Sequence, residues 1–152
     1  MREVGYGPDK RLAIKVSTRN TAAYRDLAVI LIDQLRTIYI DGELEPIDAA
    51  VYFNRMYQKN YVVALNATGS SVDDPDQHFA ENYGCGAPRN FNRYCDARLS
   101  ELIAAQSRER DTEKRRAIVR DIERRLVEET VRPIITHSVA AGCWQPQVKG
   151  LT

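Results

Sequence analysis

Two kinds of hydrophobic spacing alternate along this chain, and their order restricts the possible folds more than any other feature of the sequence. Residues 11–18, RLAIKVST, place apolar side chains at every second position, which is typical of a β-strand. Residues 27–38 repeat apolar side chains at the spacing of an α-helix, which Thr21 can begin as its N-cap. After a predicted turn at residues 41–42, residues 43–48 indicate a second strand, and their proline favours a sheet edge.

The alternation continues through the rest of the chain. Residues 49–60 indicate a short helix rich in aromatic side chains, and the continuously apolar residues 61–68 indicate a strand buried on both faces. Two helices follow, beginning near Asp96 and Asp111, and residues 132–138 indicate a last strand. The apolar stripes of these helices predict burial of Leu99, Leu102, Ile103, Gln106, Ile118, Ile122 and Leu126. Because helices connect successive strands, the sequence predicts an α/β fold with a mixed sheet flanked by helices on both faces.

The composition fits one globular domain and excludes several classes of function. The chain has 152 residues, of which 43% are hydrophobic and 28% charged, so it can bury a core and is not of the disordered type. Its net charge of +1 argues against broad binding to nucleic acid or an anionic membrane. The basic side chains of residues 114–125 alternate with acidic ones at helical spacing, which favours a solvated helix face over a nucleic-acid patch.

The loop of residues 68–79, TGSSVDDPDQHF, holds the densest group of carboxylates in the chain. Asp73, Asp74 and Asp76 could join His78 as ligands of a hard metal ion. The segment lacks the alternating oxygen ligands and the glycine bend of a calcium loop, so the metal hypothesis is the weaker of two.

The stronger hypothesis makes the same loop the beginning of a helix. Pro75 suits the first helical position, and Asp74 before it suits the N-cap. Asp76 would then place a negative charge at the positive end of the helix dipole. On this interpretation the carboxylates organise backbone and perform no reaction.

The cysteines leave two alternatives open. Cys85 and Cys95 bracket a polar loop, and they can form a disulfide in an oxidising compartment or remain unpaired buried thiols in the cytosol. Their spacing does not suit a zinc site. Cys143, beside Trp144, is predicted to be a buried, inert thiol, and His137 a core or sheet-edge residue.

Several segments, taken in order, resemble the C-terminal part of the periplasmic solute-binding proteins of ABC transporters, in the group that binds peptides and nickel. These segments are GYGPDKRLAIKV, TGSSVDDPDQ, YGCG, RYC, DARLSELI, DTEKRRAIVRDIERRLVEE and RPIITHS. The resemblance implies one lobe of a type II periplasmic-binding-protein fold. Residues 1–152 would form a single domain, most of the C-terminal lobe, without the N-terminal lobe.

The resemblance also implies a function and a set of site residues. The chain would capture a peptide or peptide-like solute in the periplasm and deliver it to membrane permease subunits. It would need no catalysis, cofactor or metal ion, and no nucleic acid. The ligand-binding residues would be Arg19, Thr68, Gly69, Ser70, Ser71 and Asp73. The family pattern further implies a Cys85–Cys95 disulfide.

One position departs from the pattern of the dipeptide- and oligopeptide-binding relatives. Ser70 stands where those relatives carry an aspartate that holds the amino group of the peptide. A serine hydroxyl cannot supply the charge-assisted hydrogen bond that an ammonium group requires. Recognition of a free amino terminus would therefore depend on Asp73. Arg19, just after the first strand, could pair with a ligand carboxylate.

Two other classes of function remain as alternatives. The first is a metal-dependent hydrolase that uses Asp73, Asp74, Asp76 and His78. The second is a cytosolic interaction module that presents the charged helix of residues 111–130. The state of the cysteines separates the second from the periplasmic interpretation, since a cytosolic protein would keep three free thiols.

Overall fold

A computed structural model describes residues 1–137, 143–145 and 147–149. It begins with a 3-10 turn at Arg2–Val4, which ends at Gly5 in the left-handed conformation (φ 82°). The elements that follow are β1 (Leu12–Arg19), α1 (Ala22–Arg36), β2 (Ile40–Ile47), α2 (Ala49–Tyr57), β3 (Val63–Ala64), α3 (Pro75–Tyr83), α4 (Ala97–Arg108) and α5 (Thr112–Glu128). Among these helices, none is both long and apolar enough to cross a membrane.

The strands of the described residues form one parallel sheet in the order β2-β1-β3. Val16 of the central strand pairs with Leu44 on one side and Val63 on the other. The α/β class and the flanking helices are as predicted, although each strand pair in this sheet is parallel. β2 lies at an edge of the sheet, as its proline favoured. Pro46 has no N–H to donate, and an edge strand tolerates this because it pairs on one side only.

Helix α1 covers one face of the sheet. Val16 and Ala28 are fully buried between them, and Ile32 packs in the same cluster. Gly42 lies within β2 and not in the predicted turn. A Cβ atom at this position would come within 2.8 Å of Ile32 Cγ1. The glycine therefore allows the helix to lie close to the sheet.

Helix α2 covers the opposite face. Its Tyr52 and Met56 are almost completely buried against Ile47, and the Tyr52 hydroxyl donates a 2.6 Å hydrogen bond to the Leu65 carbonyl. The helix begins at Asp48, whose side chain accepts from the amide of Ala50. These contacts fix which side of α2 remains at the surface.

The helices α3, α4 and α5 form a second core beside the sheet. Leu99 and Ile122 are fully buried in it, with Phe79 and Tyr83 of α3 around them. Of the predicted buried stripe, Leu102, Ile103 and Gln106 of α4 are also buried, whereas Ile118 and Leu126 are partly buried against the same core.

Two predicted strands differ from the structure. The strand predicted at residues 61–68 is reduced to Val63–Ala64. The Leu65 amide after it still donates to the Ser17 carbonyl at 2.9 Å, while the Leu65 carbonyl accepts from the Tyr52 hydroxyl. Residues 132–137 have no regular secondary structure, and Ser138 lies outside the described residues. Arg132 instead attaches this segment to α3 by donating to Asn82 Oδ1 at 2.9 Å.

Candidate functional site

The candidate site lies where the parallel strands end. Because the carboxyl ends of parallel strands share one edge, Arg19 at the end of β1 comes close in register to the residues that follow β3. Ligands of open α/β sheets bind in the crevice outside this edge. The segment after β3 contains Thr68 and Gly69, two of the residues predicted to contact a ligand.

A cleft of about 310 Å³ opens at this edge. Three aromatic rings line it, those of Phe53, Tyr57 and Phe91, together with the polar side chains of Asn66 and Arg89. The Tyr57 and Phe91 rings meet edge to face, with their centroids 5.5 Å apart. The cleft therefore has a mixed lining, with aromatic rings beside a large share of polar groups.

The sequence of α2 explains why two of these rings face the cleft. Phe53 and Tyr57 are four residues apart and share one side of the helix, whereas Tyr52 and Met56 share the buried side. Phe53 is 39% and Tyr57 53% exposed, although both are large aromatic residues. A helix that buries one aromatic face and exposes another has surface available for a ligand or partner.

Arg19 lies at the border of the cleft. Its guanidinium carbon is 4.9 Å from the ring centroid of Tyr24 and 5.5 Å from that of Phe53, so the charge lies against two aromatic rings. Its Nη1 donates to the Tyr24 hydroxyl at 3.1 Å, and its buried Nε has no acceptor among the described residues. The arginine predicted as a ligand contact is thus oriented by aromatic rings, with donor capacity left over.

The predicted ligand-binding loop divides into two parts. Thr68 and Gly69 line the cleft, whereas Ser70, Ser71 and Asp73 lie in the exposed loop that follows. The Ser70 hydroxyl accepts from the Val72 amide at 3.3 Å, so it closes a local turn. Contact of these later residues with a ligand stays a prediction.

The carboxylates around Pro75 begin a helix, as the stronger of the two hypotheses predicted. Asp74 is the N-cap of α3 and accepts from the Asp76 amide at 2.9 Å, with Pro75 at the first helical position. The guanidinium group of Arg115 on α5 donates a hydrogen bond to each carboxylate oxygen of Asp74, at 2.7 and 2.8 Å. The hydrogen bonds from Arg115 and from the Asp76 amide lower the pKa of Asp74 to about 2.

Asp76 and His78, two other members of the proposed metal cluster, contact different partners. The Asp76 side chain accepts a hydrogen bond from Gln106 of α4. His78 packs against the rings of Phe79 and Tyr83, and burial lowers its pKa. Within the described residues, no three His, Cys, Asp or Glu side chains come together as a metal site would require.

A disulfide joins Cys85 to Cys95, as the family resemblance implied. The loop that it closes carries Arg89 and Phe91, two of the residues that line the cleft. Asn90 at its centre donates to the Gly84 carbonyl at 2.9 Å and to the Tyr94 carbonyl at 2.6 Å. The loop is thus held by covalent and hydrogen bonds while it forms one wall.

Two predictions near the end of the chain are wrong. Cys143 is exposed, not buried, and Trp144 beside it is 53% exposed. His137 is exposed as well and lies outside any strand. Apolar neighbours in sequence do not bury a side chain unless the backbone there packs against a core.

The sequence analysis missed the cleft residues Phe53, Tyr57, Asn66, Arg89 and Phe91. One signal was available for the first two, since α2 has more aromatic residues than one buried face can hold. No comparable signal marks Arg89 or Phe91, because their position depends on the path of the disulfide loop.

No protein-family model matches the chain. Among curated proteins, it is similar to a dipeptide-binding protein of Pseudomonas aeruginosa, with 28% identity over 102 residues. That similarity covers 66% of this chain and 19% of the relative, so the matched part corresponds to about a fifth of that protein's length.

Two solved structures show the same architecture. The murein tripeptide binding protein MppA of Escherichia coli matches with a TM-score of 0.77 and 18% identity, over 86% of this chain and 26% of its own. The periplasmic binding protein DppA of Helicobacter pylori, solved with the peptide STSA, matches with a TM-score of 0.74 and 20% identity. Its match also covers 86% of this chain and 26% of that protein.

The α/β architecture, a parallel sheet with flanking helices, thus agrees with the fold that the resemblance implied. This chain has the fold of one part, about a quarter, of a periplasmic solute-binding protein of the peptide- and nickel-binding kind.

Proposed function

We propose that this chain forms one wall of the ligand cleft in the substrate-binding protein of an ABC importer. The captured solute is a peptide or a peptide-like molecule. The support is the fold, which is that of proteins described as binding a murein tripeptide and the peptide STSA, and the cleft at the carboxyl edge of the sheet. The observation that carries the proposal is the pair of exposed rings, Phe53 and Tyr57, in that cleft.

The proposed mechanism involves binding and movement, without a bond-making step. An N-terminal lobe supplies the opposite wall, and the two lobes close over the solute by a hinge motion. The closed protein then presents its solute to the permease subunits on the periplasmic side of the membrane. Residues 1–152 would serve as most of the C-terminal lobe in this assembly.

Each group of the cleft has a role in this proposal. The rings of Phe53 and Tyr57 cover apolar parts of the solute, since aromatic side chains are common anchors at binding sites. The backbone of Thr68 and Gly69 provides hydrogen bonds to a peptide main chain. Arg19 pairs with a carboxylate, and Ser70, Ser71 and Asp73 contact the solute once the lobes close.

A titration followed by ¹⁵N–¹H NMR tests the proposal on this chain. Because one wall makes only part of the contacts, we expect a tripeptide such as Ala-Phe-Ala to bind with a Kd of about 1 mM. The amide signals of Phe53, Tyr57, Thr68 and Gly69 should shift. Tyr57→Ala should weaken binding by about tenfold, as loss of an aromatic anchor does.

Val29→Ala provides the matched control, because Val29 is 51% exposed on α1, on the other side of the sheet. It should leave the affinity unchanged. Shifts that map to a different surface, or equal affinities for the Tyr57→Ala variant and the unchanged chain, would contradict the proposal.

A further inference from the structure

We propose that Arg89 is a specificity-determining residue and that the cleft favours an aromatic side chain that lies beside a carboxylate. The same pocket disfavours cationic side chains. This inference rests on the proposed function and narrows its class of substrate. It uses residues of the disulfide loop that neither the sequence pattern nor the resemblance assigned to a ligand.

The size and walls of the pocket favour one aromatic side chain. Its volume of about 310 Å³ lies at the lower end of the range for small-molecule sites, so it suits one residue of a peptide and not a whole peptide. Phe91 forms an inner wall with 8% exposure, and the more exposed Phe53 and Tyr57 lie around it. Aromatic rings in such surroundings can meet a ligand ring in edge-to-face geometry.

The charge of the pocket favours an anionic group. Arg89 belongs to the lining, and no aspartate or glutamate does. A second guanidinium, that of Arg19, lies against the Phe53 ring at the border. A lysine or arginine side chain of a ligand would therefore meet two guanidinium groups, and the nearby carboxylate of Glu81, which pairs with Arg89, lies outside the lining.

Arg89 keeps donor capacity for a ligand. Its Nη1 lies 3.3 Å from Glu81 Oε2, and this is its only ion pair within the described part of the chain. The side chain of Arg89 is 49% exposed. A guanidinium has five N–H donors in a planar fork, so one contact leaves others free to bind a carboxylate.

The backbone around Arg89 is held in place before any ligand arrives. The Arg89 amide donates to the Glu81 carbonyl at 3.0 Å, and the Arg89 carbonyl accepts from Arg132 Nη2 at 3.1 Å. The Cys85–Cys95 disulfide closes the loop around it. A charge on such a fixed backbone loses little conformational freedom when it binds, which increases its effect on selectivity.

Three small probes of graded charge test the inference on this chain by NMR titration. They are N-acetylphenylalanine (anionic), N-acetylphenylalanine amide (neutral) and phenylalanine amide (cationic). The expected order of affinity is anionic, neutral, cationic, with about a fivefold difference between the first two, as one exposed ion pair supplies. N-acetylalanine, which keeps the carboxylate and lacks the ring, should bind more weakly than N-acetylphenylalanine.

Arg89→Gln should reduce the ratio of the affinities for the anionic and neutral probes to about one, because glutamine keeps a polar side chain and lacks the charge. Arg89→Lys should keep part of the preference. Arg116→Gln is the matched control, because Arg116 is also about half exposed and paired with one acid, Glu113, but lies on α5 away from the cleft. That control should leave the ratio unchanged.

The outcomes separate the two proposals. Suppose that tripeptides and probes bind at the cleft, but the affinities of the probes do not depend on their charge, or the same order of affinities is found in Arg89→Gln. The inference about Arg89 is then overturned and the proposed function stands. If neither the tripeptides nor any probe shifts the cleft signals, both are overturned. A spectrum of Arg89→Gln that otherwise overlays the parent spectrum shows that the variant is folded.

Discussion

The sheet region, from β1 to β3 with α1 and α2, differs from the helical region of α3, α4 and α5 in how completely its polar and apolar groups are satisfied. Each helix of the helical region begins at an aspartate whose side chain accepts a backbone amide, namely Asp74, Asp96 and Asp111. In the sheet region, Asp48 caps α2 in the same way, but Thr21 occupies the N-cap of α1 without such a bond.

The contrast is sharpest at the carboxyl edge of the sheet. Thr18 Oγ1, Arg19 Nε and Asn66 Oδ1 are buried there without a partner among the described residues, whereas the helices α3, α4 and α5 have one such group, Arg125 Nε. Two aromatic rings of α2 are exposed beside them. Unsatisfied groups have a cost in stability, and their concentration at one edge indicates a surface shaped for binding. The helical region, in this comparison, supports that surface.

The largest expected effect tests the role of the helical region in stability. Leu99→Ala should lower the free energy of unfolding by about 2–5 kcal/mol, because Leu99 is fully buried between α3 and α5. Urea denaturation followed by circular dichroism measures the change. Val127→Ala on α5, where the side chain is 75% exposed, should change it by less than about 0.5 kcal/mol. Similar losses for the two variants would remove the basis of the comparison.

A smaller effect tests the close packing of the sheet region. Gly42→Ala should cost roughly 1–3 kcal/mol, because the added Cβ would lie 2.8 Å from Ile32 Cγ1 and the side chain must shift. In an Ile32→Ala background, which removes Cγ1 and Cγ2, the cost of Gly42→Ala should be smaller, and urea denaturation of the single and double variants measures the difference. Gly7→Ala is the control, since a Cβ there has no atom within 4 Å. A Gly42→Ala variant as stable as the parent would show that α1 does not lie so close.

The smallest expected effect concerns pH and the N-cap of α3. Because Arg115 and the Asp76 amide lower the pKa of Asp74 from 3.8 to about 2 in the folded chain, the ionised carboxylate stabilises the fold. This contribution is complete above pH 3.8 and is lost as the pH falls towards 2. Asp74→Asn, which can still cap the helix, should therefore lose stability at pH 5 and resemble the parent near pH 2.

Urea midpoints at the two pH values measure this difference. Asp33→Asn, on the exposed surface of α1, serves as the control and should follow the parent at both. If Asp74→Asn is less stable than the parent by the same amount at both pH values, its effect comes from the cap geometry and not from the charge.

Local signals in the sequence were sufficient for most of the helical region. The cap at Asp74 with Pro75 after it, and the buried stripe from Leu99 to Gln106, are all present where the pattern predicted them. Caps and stripes act within one or two turns of a helix, so the sequence records them directly.

Local signals failed where distant contacts compete with them. The apolar residues 61–68 predicted a long strand, but the strand covers only Val63–Ala64, and the Leu65 carbonyl after it accepts from the Tyr52 hydroxyl of α2. Gly42 looked like a turn and is instead the position where α1 approaches β2. In both cases a residue of another element contacts the position concerned, and such a contact leaves no local pattern in the sequence.

The sequence by itself determined the α/β class, the helix beginnings and the resemblance to a peptide-binding protein. Only the tertiary structure decided which residues form the cleft, since Phe53, Asn66 and Arg89 belong to a helix, a strand end and a disulfide loop that are far apart along the chain. The physical reason is range: capping and periodicity act between neighbours in sequence, whereas a cleft is made by the order of strands and the path of loops between them.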